Sequence, residues 1–188
     1  MQTPHFELVN GWKPAQNLRP EEVEETTLYE TLIHTGSLTH YLQQLTASPT
    51  EVNLRQQSAM PSDEAPLQPL WPTALNLSAQ TLLVRDAWLS SRGEIRVYAH
   101  SQIDWDHLDD EMRTRIRDGQ VPLGGLFLAM GGKVYRDQLE VAQTHVSGLE
   151  RVDQGALWCR RSLFTVDGKH IARILELFCS NVHVDPLD

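Results

Sequence analysis

Residues 156–180, ALWCRRSLFTVDGKHIARILELFCS, decide the fold class of this chain. Two apolar stretches, residues 156–166 and 170–180, flank the turn sequence Asp167-Gly168-Lys169. Asp-Gly between two such stretches is a strong signal for a β-hairpin, because both residues tolerate the positive φ angles of a type I′ turn. We therefore predict two antiparallel strands near the end of the chain.

Further strands are predicted upstream of this hairpin. Residues 81–89 and 95–103 have the composition of strands, and the segment that joins them contains Gly93 at the bend. Residues 51–58 and the alternating stretch 135–143 are predicted to form two more strands.

Three helices are predicted. Pro20 followed by two glutamates is typical of a helix start, and we extend this helix to about His34. Ser37 is a suitable N-cap for a second helix, and residues 104–118 form a third, which Gly119 ends. The apolar stripes of the last two helices consist of Leu38, Leu42 and Leu45, and of Trp105, Leu108, Met112 and Ile116.

These elements together predict an α+β fold, with a single antiparallel β-sheet and helices packed on it. A length of 188 residues suits one domain with a sizeable core, so residues 1–188 are taken as one domain. Within it, residues 1–19 are predicted to be irregular, and the proline-rich residues 59–75 to form a surface loop.

Composition excludes several classes of partner. The net charge of −9 argues against nonspecific nucleic-acid binding and against binding to anionic membranes, both of which need basic patches. No apolar run approaches the length of a membrane span, and the first residues do not resemble a signal peptide. Cys159 and Cys179 have no metal-ligand spacing and are predicted to be reduced thiols. We therefore predict a cytoplasmic protein without metal and without membrane insertion.

A bend set in apolar sequence is a candidate ligand cradle. Residues 121–128, VPLGGLFL, combine Pro122, which fixes φ, with Gly124 and Gly125, which permit positive φ and close backbone approach. Such a bend suits a small planar ligand, but it also suits a buried turn between a helix and a strand.

Two charged residues lie inside apolar strands. Arg85 cannot lose its proton at physiological pH, so its burial requires an anion, from either a ligand or the protein. Glu176 would have a raised pKa unless it is paired, which suits a proton acceptor or a hydrogen-bond partner of a hydroxyl group. The alternative is that Glu176 pairs with an internal arginine, such as Arg85.

Arg160 and Arg161 point to opposite faces of their strand, so only one of them can face an interior ligand.

Six short motifs, in the same order, resemble chorismate pyruvate-lyase, the 4-hydroxybenzoate synthase family. They span roughly residues 28–180. They are Gly36-Ser37-Leu38-Thr39-His40-Tyr41-Leu42, Leu83-Val84-Arg85-Asp86, Val121-Pro122-Leu123-Gly124, Tyr135-Arg136-Asp137, Leu157-Trp158-Cys159-Arg160-Arg161-Ser162 and Leu175-Glu176-Leu177-Phe178.

The resemblance implies a reaction and a fold. It implies a lyase that converts chorismate to 4-hydroxybenzoate and pyruvate, the first step of quinone ring synthesis (ubiquinone or plastoquinone), with no cofactor or metal. The ligand would be enclosed under helical flaps on an antiparallel sheet. Product inhibition and a monomeric state are also expected.

The resemblance also implies roles for individual residues. Arg85 would hold the ring carboxylate and Glu176 the ring hydroxyl, and these two are the candidate catalytic residues. The candidate substrate-binding residues are Leu38, Leu123, Gly124 and Arg161.

The chain departs from the family pattern at residues 99–104, at Cys159 and after Phe178, which suggests a divergent member. The main alternative is a non-catalytic protein that binds a small aromatic acid on the same fold. A structural protein with an internal Arg85–Glu176 pair is a third interpretation.

Overall fold

The computed structural model describes residues 4–65, 79–118, 122–123, 125–126 and 134–179. In these residues the chain forms one curled antiparallel sheet of eight strands with three α-helices, which confirms the α+β prediction. The strand order is β1-β6-β7-β8-β5-β4-β3, and β2 pairs with β6 beside β1. The strands are β1 His5–Leu8, β2 Lys13–Pro14, β3 Glu51–Pro61, β4 Thr81–Ser91, β5 Glu94–Asp104, β6 Val134–Ser147, β7 Leu157–Val166 and β8 Lys169–Phe178.

Both predicted hairpins are confirmed. Asp167 and Gly168, between β7 and β8, have φ angles of 48° and 79°. Arg92 and Gly93, between β4 and β5, have φ angles of 53° and 77°. Positive φ at both central positions is what a two-residue type I′ turn requires, so these turns fit the pairing of β4 with β5 and of β7 with β8.

The structure extends the sheet beyond the predicted strands. Residues 5–8 and 13–14 pair with β6, so the prediction that residues 1–19 are irregular is wrong at these two short strands. Phe6 explains the first of them, because its side chain is buried in the core while its neighbours His5 and Glu7 are exposed. At the other edge, β3 continues to Pro61, so the loop predicted from residue 59 begins later, and residues 66–75 of it lie outside the described residues.

The first and third helices are shorter than predicted. The helices are α1 Thr26–Ile33, α2 Leu38–Thr46 and α3 Asp110–Arg117, and Pro20–Glu22 forms a separate 3-10 turn. Ser37 caps α2 as predicted, accepting a hydrogen bond from the backbone N–H of His40. The last helix starts late because Asp104 ends β5, and its carboxylate accepts hydrogen bonds from the next turn. Asp109 then provides the N-cap. None of the helices in the described part of the chain is long and apolar enough to cross a membrane.

The alternation of side chains gives the sheet two different faces. One face carries the aromatic core built on Trp88, Tyr98 and Leu177, which β1 covers with Phe6. The opposite face is covered by α2, whose Leu42 packs in a cluster with strand residues including Val97 and Phe178, and by α3. Between these two helical covers the second face leaves a cleft.

Candidate functional site

The register of the sheet brings Arg85 and Glu176 to the same face. Arg85 on β4 lies opposite Ser101 on β5, and Ala99, two residues away on β5, lies opposite Glu176 on β8. The two charged residues are therefore two strands apart across the sheet and two residues apart along it. At about 4.8 Å per strand and about 3.4 Å per residue, their Cα atoms are separated by roughly 12 Å.

A cleft opens above this part of the sheet. Ala87, Ala99 and Ser101 form its floor, and their short side chains leave the space between the longer ones unfilled. About 470 Å³ inside it contains no protein atoms, part of it continuous with solvent. The remaining lining residues are Leu38, Thr39, Val52, Arg85, Leu89, Pro122, Leu123, Arg136, Phe164, Ile174 and Glu176.

Three predicted site residues besides Glu176 meet at this cleft. Leu38 approaches from the first turn of α2, and Leu123 approaches from the turn that starts at Pro122. Arg85 is 2% exposed. Burial lowers the pKa of Arg85 to about 10, which leaves its guanidinium protonated at neutral pH. Gly124, the remaining residue of the predicted cradle, lies outside the described residues.

Glu176 is held by two arginines. Arg136 donates two hydrogen bonds, from Nη1 to Oε2 at 3.0 Å and from Nη2 to Oε1 at 3.3 Å. Arg160 donates a third from Nε to Oε2 at 2.5 Å. Burial alone would raise the pKa of Glu176, but the two guanidinium groups outweigh it and hold this pKa below the usual 4.5. The carboxylate is therefore ionised, and it forms ion pairs with Arg136 and Arg160.

Arg160 also connects the sheet to the helical cover. Its Nη1 donates to the carbonyl oxygens of Thr31, at 2.6 Å, and His34, at 2.9 Å, at the C-terminal end of α1. The backbone N–H of His34 also donates to the Thr31 carbonyl, and the guanidinium adds a side-chain cap at this helix end. Burial lowers the pKa of Arg160 to about 10, although Glu176 opposes this effect.

Arg161 lies away from the cleft. Its side chain is on the opposite face of β7, where Nε donates to Oε2 of Glu140 at 2.8 Å. The guanidinium also lies 4.3 Å from the centre of the Trp12 ring. Strand alternation predicts that the two neighbouring arginines point in opposite directions, and the structure places Arg160 on the side of the cleft.

Sequence reasoning did not single out Arg136 as a site residue. Its guanidinium lies 4.6 Å from the ring centre of Phe164, and Nη1 also donates to Oγ of Ser162 at 2.8 Å. The one available signal was its place in the Tyr135-Arg136-Asp137 motif. Among the residues that the structure describes, no group of three or more His, Cys, Asp or Glu side chains is placed to hold a metal ion.

Solved structures that share the fold include two bacterial proteins. The ligand-binding domain of a GntR-family transcriptional regulator from Bordetella bronchiseptica is 17% identical, with a TM-score of 0.52, over 70% of this chain and 86% of that chain. PhnF from Mycobacterium smegmatis is 14% identical, with a TM-score of 0.52, over 79% of this chain and 65% of that chain. At these identities the likeness concerns the fold alone.

The comparison with protein families gives a more specific result. No match is found among curated proteins. The family model described as chorismate pyruvate-lyase Rv2949c-like matches residues 32–184, which include both strands that carry Arg85 and Glu176 and the α2 residue Leu38. The matched segment is most of the chain and contains the whole described cleft. The chain therefore belongs to the Rv2949c-like family of chorismate pyruvate-lyases.

Proposed function

We propose that this protein is a cofactor-independent lyase that converts chorismate to 4-hydroxybenzoate and pyruvate. The observation that carries the proposal is the pair of buried, oppositely charged side chains, Arg85 and Glu176, which face one cleft from Cα positions roughly 12 Å apart. A six-membered ring with a carboxylate at one end and a hydroxyl at the other fits between a cation and a carboxylate at this separation. Family membership supports the same reaction.

Each cleft residue has a proposed role. Arg85 binds the ring carboxylate through two parallel hydrogen bonds, a geometry for which guanidinium is suited. Glu176 accepts a hydrogen bond from the ring hydroxyl. Leu38 and Leu123 pack on the ring and offer backbone amides. Arg161 has no role in this proposal, because its side chain lies on the other face of the sheet.

The reaction demands little covalent chemistry from the protein. The bond between ring carbon 3 and the ether oxygen breaks, the hydrogen on carbon 4 leaves as a proton, and the ring becomes aromatic. The released enolpyruvate takes up a proton at its methylene carbon and becomes pyruvate. Positioning, neutralisation of the anions and exclusion of water are then the main contributions of the cleft. The lowered pKa of Glu176 makes it a weak base, which favours a role in orienting the hydroxyl group.

The test is to incubate the purified protein with chorismate, without metal or cofactor, and to quantify both products by chromatography. We expect 4-hydroxybenzoate and pyruvate in a 1:1 ratio and above the spontaneous background. Absence of both products from a folded protein would contradict the proposal. Because the cleft matches the aromatic product, we also expect 4-hydroxybenzoate to inhibit the reaction and its release to limit the rate.

A second candidate function is the binding of a small aromatic acid without catalysis. The similar Bordetella bronchiseptica structure is a ligand-binding domain of a transcriptional regulator, and this observation favours the alternative. A thermal shift with 4-hydroxybenzoate, together with no turnover of chorismate, would favour binding over catalysis. Cytoplasmic location, a monomeric state and a place at the start of quinone ring synthesis belong to the lyase proposal.

A further inference from the structure

The ion pairs around Glu176 leave one positive charge in excess. Arg136 and Arg160 both contact this carboxylate, and within the described part of the chain the ion pairs of these two arginines are with Glu176 alone. The side chains of Arg136, Arg160 and Glu176 are 2%, 0% and 5% exposed. A buried cluster of two cations and one anion is costly unless a further anion completes it.

Of the two arginines, Arg136 is the one that can reach a ligand. Arg136 lines the cleft, whereas Arg160 lies behind Glu176 and donates to the carbonyl oxygens at the end of α1. The guanidinium of Arg136 is fixed by Ser162 and by the ring of Phe164, which also lines the cleft. A fixed, buried guanidinium at the cleft wall is a preorganised anion site.

We propose that Arg136 binds a second carboxylate of the ligand. This carboxylate belongs to a side chain attached to the ring carbon next to the carbon that bears the hydroxyl group. This inference rests on the proposed function and deepens it. The enolpyruvyl side chain of chorismate is attached at that neighbouring carbon, so a hydroxyl at Glu176 brings the side-chain carboxylate towards the arginines that hold Glu176. Arg85 and Arg136 then bind the two carboxylates of one dianionic substrate separately.

This arrangement makes the cleft selective for charge as well as for shape. After the reaction, 4-hydroxybenzoate retains the carboxylate at Arg85, and pyruvate retains the carboxylate at Arg136. Each product is a monoanion and loses one of the two contacts that held the substrate. The cleft should therefore bind a dianion of the substrate's shape more tightly than an otherwise equal monoanion.

Two ligands of nearly equal size test this inference by calorimetry, without any reaction. The dianionic probe is 3-(carboxymethoxy)-4-hydroxybenzoate. The comparison ligand, 3-(carbamoylmethoxy)-4-hydroxybenzoate, has a neutral amide in place of the side-chain carboxylate. We expect the wild-type protein to bind the dianionic probe at least about tenfold more tightly than the amide, because a hydrogen-bonded charge pair in a buried site contributes about this much. Arg136→Gln should reduce this ratio of the two affinities to about threefold or less, and Arg136→Lys should keep part of it.

Arg161→Gln is the matched control, because it also removes a buried guanidinium that contacts a carboxylate and an aromatic ring, Glu140 and Trp12. This variant should keep the wild-type ratio. A ratio near one in the wild type, or an undiminished ratio in a folded Arg136→Gln variant, overturns the inference. If Arg136→Gln does not fold, the wild-type ratio and Arg136→Lys decide. If the wild-type protein shows the affinity ratio but does not convert chorismate, and Arg136→Gln loses the ratio, the second anion site is retained and the lyase reaction is rejected.

Discussion

At the scale of single residues, Arg85 gives the first prediction. Replacement of Arg85 by glutamine removes the proposed partner of the ring carboxylate, so the affinity for 4-hydroxybenzoate should fall by about 2–5 kcal/mol while the protein stays folded. Calorimetric titration and thermal unfolding measure the two effects. Arg173→Gln is a suitable control, because Arg173 is also buried in a strand but bonds to Gln102, away from the cleft lining. A sharp loss of thermal stability with unchanged affinity would show that Arg85 is structural.

Glu176 gives a second prediction, in which stability depends on pH. Glu176→Gln leaves the guanidinium groups of Arg136 and Arg160 without their carboxylate and should cost about 3–5 kcal/mol of unfolding free energy at pH 7. Because the folded-state pKa of Glu176 lies below its usual 4.5, its contribution is complete above that pH and is lost as the pH falls through the folded-state value. Urea unfolding from pH 7 down to about 3 should therefore show the difference between wild type and variant shrinking. A constant difference over this range would contradict the assignment.

The same residue predicts a kinetic effect. If Glu176 orients the hydroxyl group in the transition state, Glu176→Gln should lower the single-turnover rate of chorismate conversion by about tenfold or more and change the affinity for 4-hydroxybenzoate less. Single-turnover kinetics, which product release does not limit, and calorimetric titration with the product measure the two quantities. An unchanged single-turnover rate in the folded variant would remove Glu176 from the mechanism.

At the scale of secondary-structure elements, Arg160 links α1 to β7. Arg160→Met removes the guanidinium that donates to the carbonyl oxygens of Thr31 and His34, although the His34 N–H still donates to Thr31. A buried acceptor left unpaired costs about 1–3 kcal/mol. We expect hydrogen exchange to accelerate in α1 and in the first turn of α2, and much less in β5 and β8. Arg161→Met provides the control on the next residue of the strand and should leave exchange in α1 unchanged. Equal acceleration throughout the sheet would show a general loss of stability instead.

The elements differ in how far their sequences determine them. Asp167-Gly168 favours positive φ at both turn positions and Gly93 favours it at one, so both hairpins are predictable from local sequence. The short strands β1 and β2 depend on pairing with β6, more than a hundred residues later, which no local pattern reveals. Likewise, alternation separates Arg160 from Arg161 but cannot tell which face of β7 borders the cleft.

At the scale of the whole molecule, the fold and the site are separable. Arg85 and Glu176 were predictable as candidates because each is a charged residue in an apolar strand. The register of three strands then places both on one face of the sheet. The contribution of Arg136 comes from β6 and depends on the curl of the sheet, which composition and periodicity do not encode. The cleft lies where the small residues Ala87, Ala99 and Ser101 occupy the floor.

This separation predicts opposite effects for two alanines on the same face of the sheet. Ala99 borders the cleft and is half-buried, whereas Ala172 is fully buried in the cluster under α3. Ala99→Leu should fill the cleft and weaken binding of 4-hydroxybenzoate more than about tenfold, with little change in stability. Ala172→Leu should cost about 1–3 kcal/mol of unfolding free energy through overpacking and leave affinity in the folded fraction nearly unchanged. Urea unfolding and calorimetric titration of both variants make the comparison, and a loss of stability without a loss of affinity in Ala99→Leu would place the ligand elsewhere.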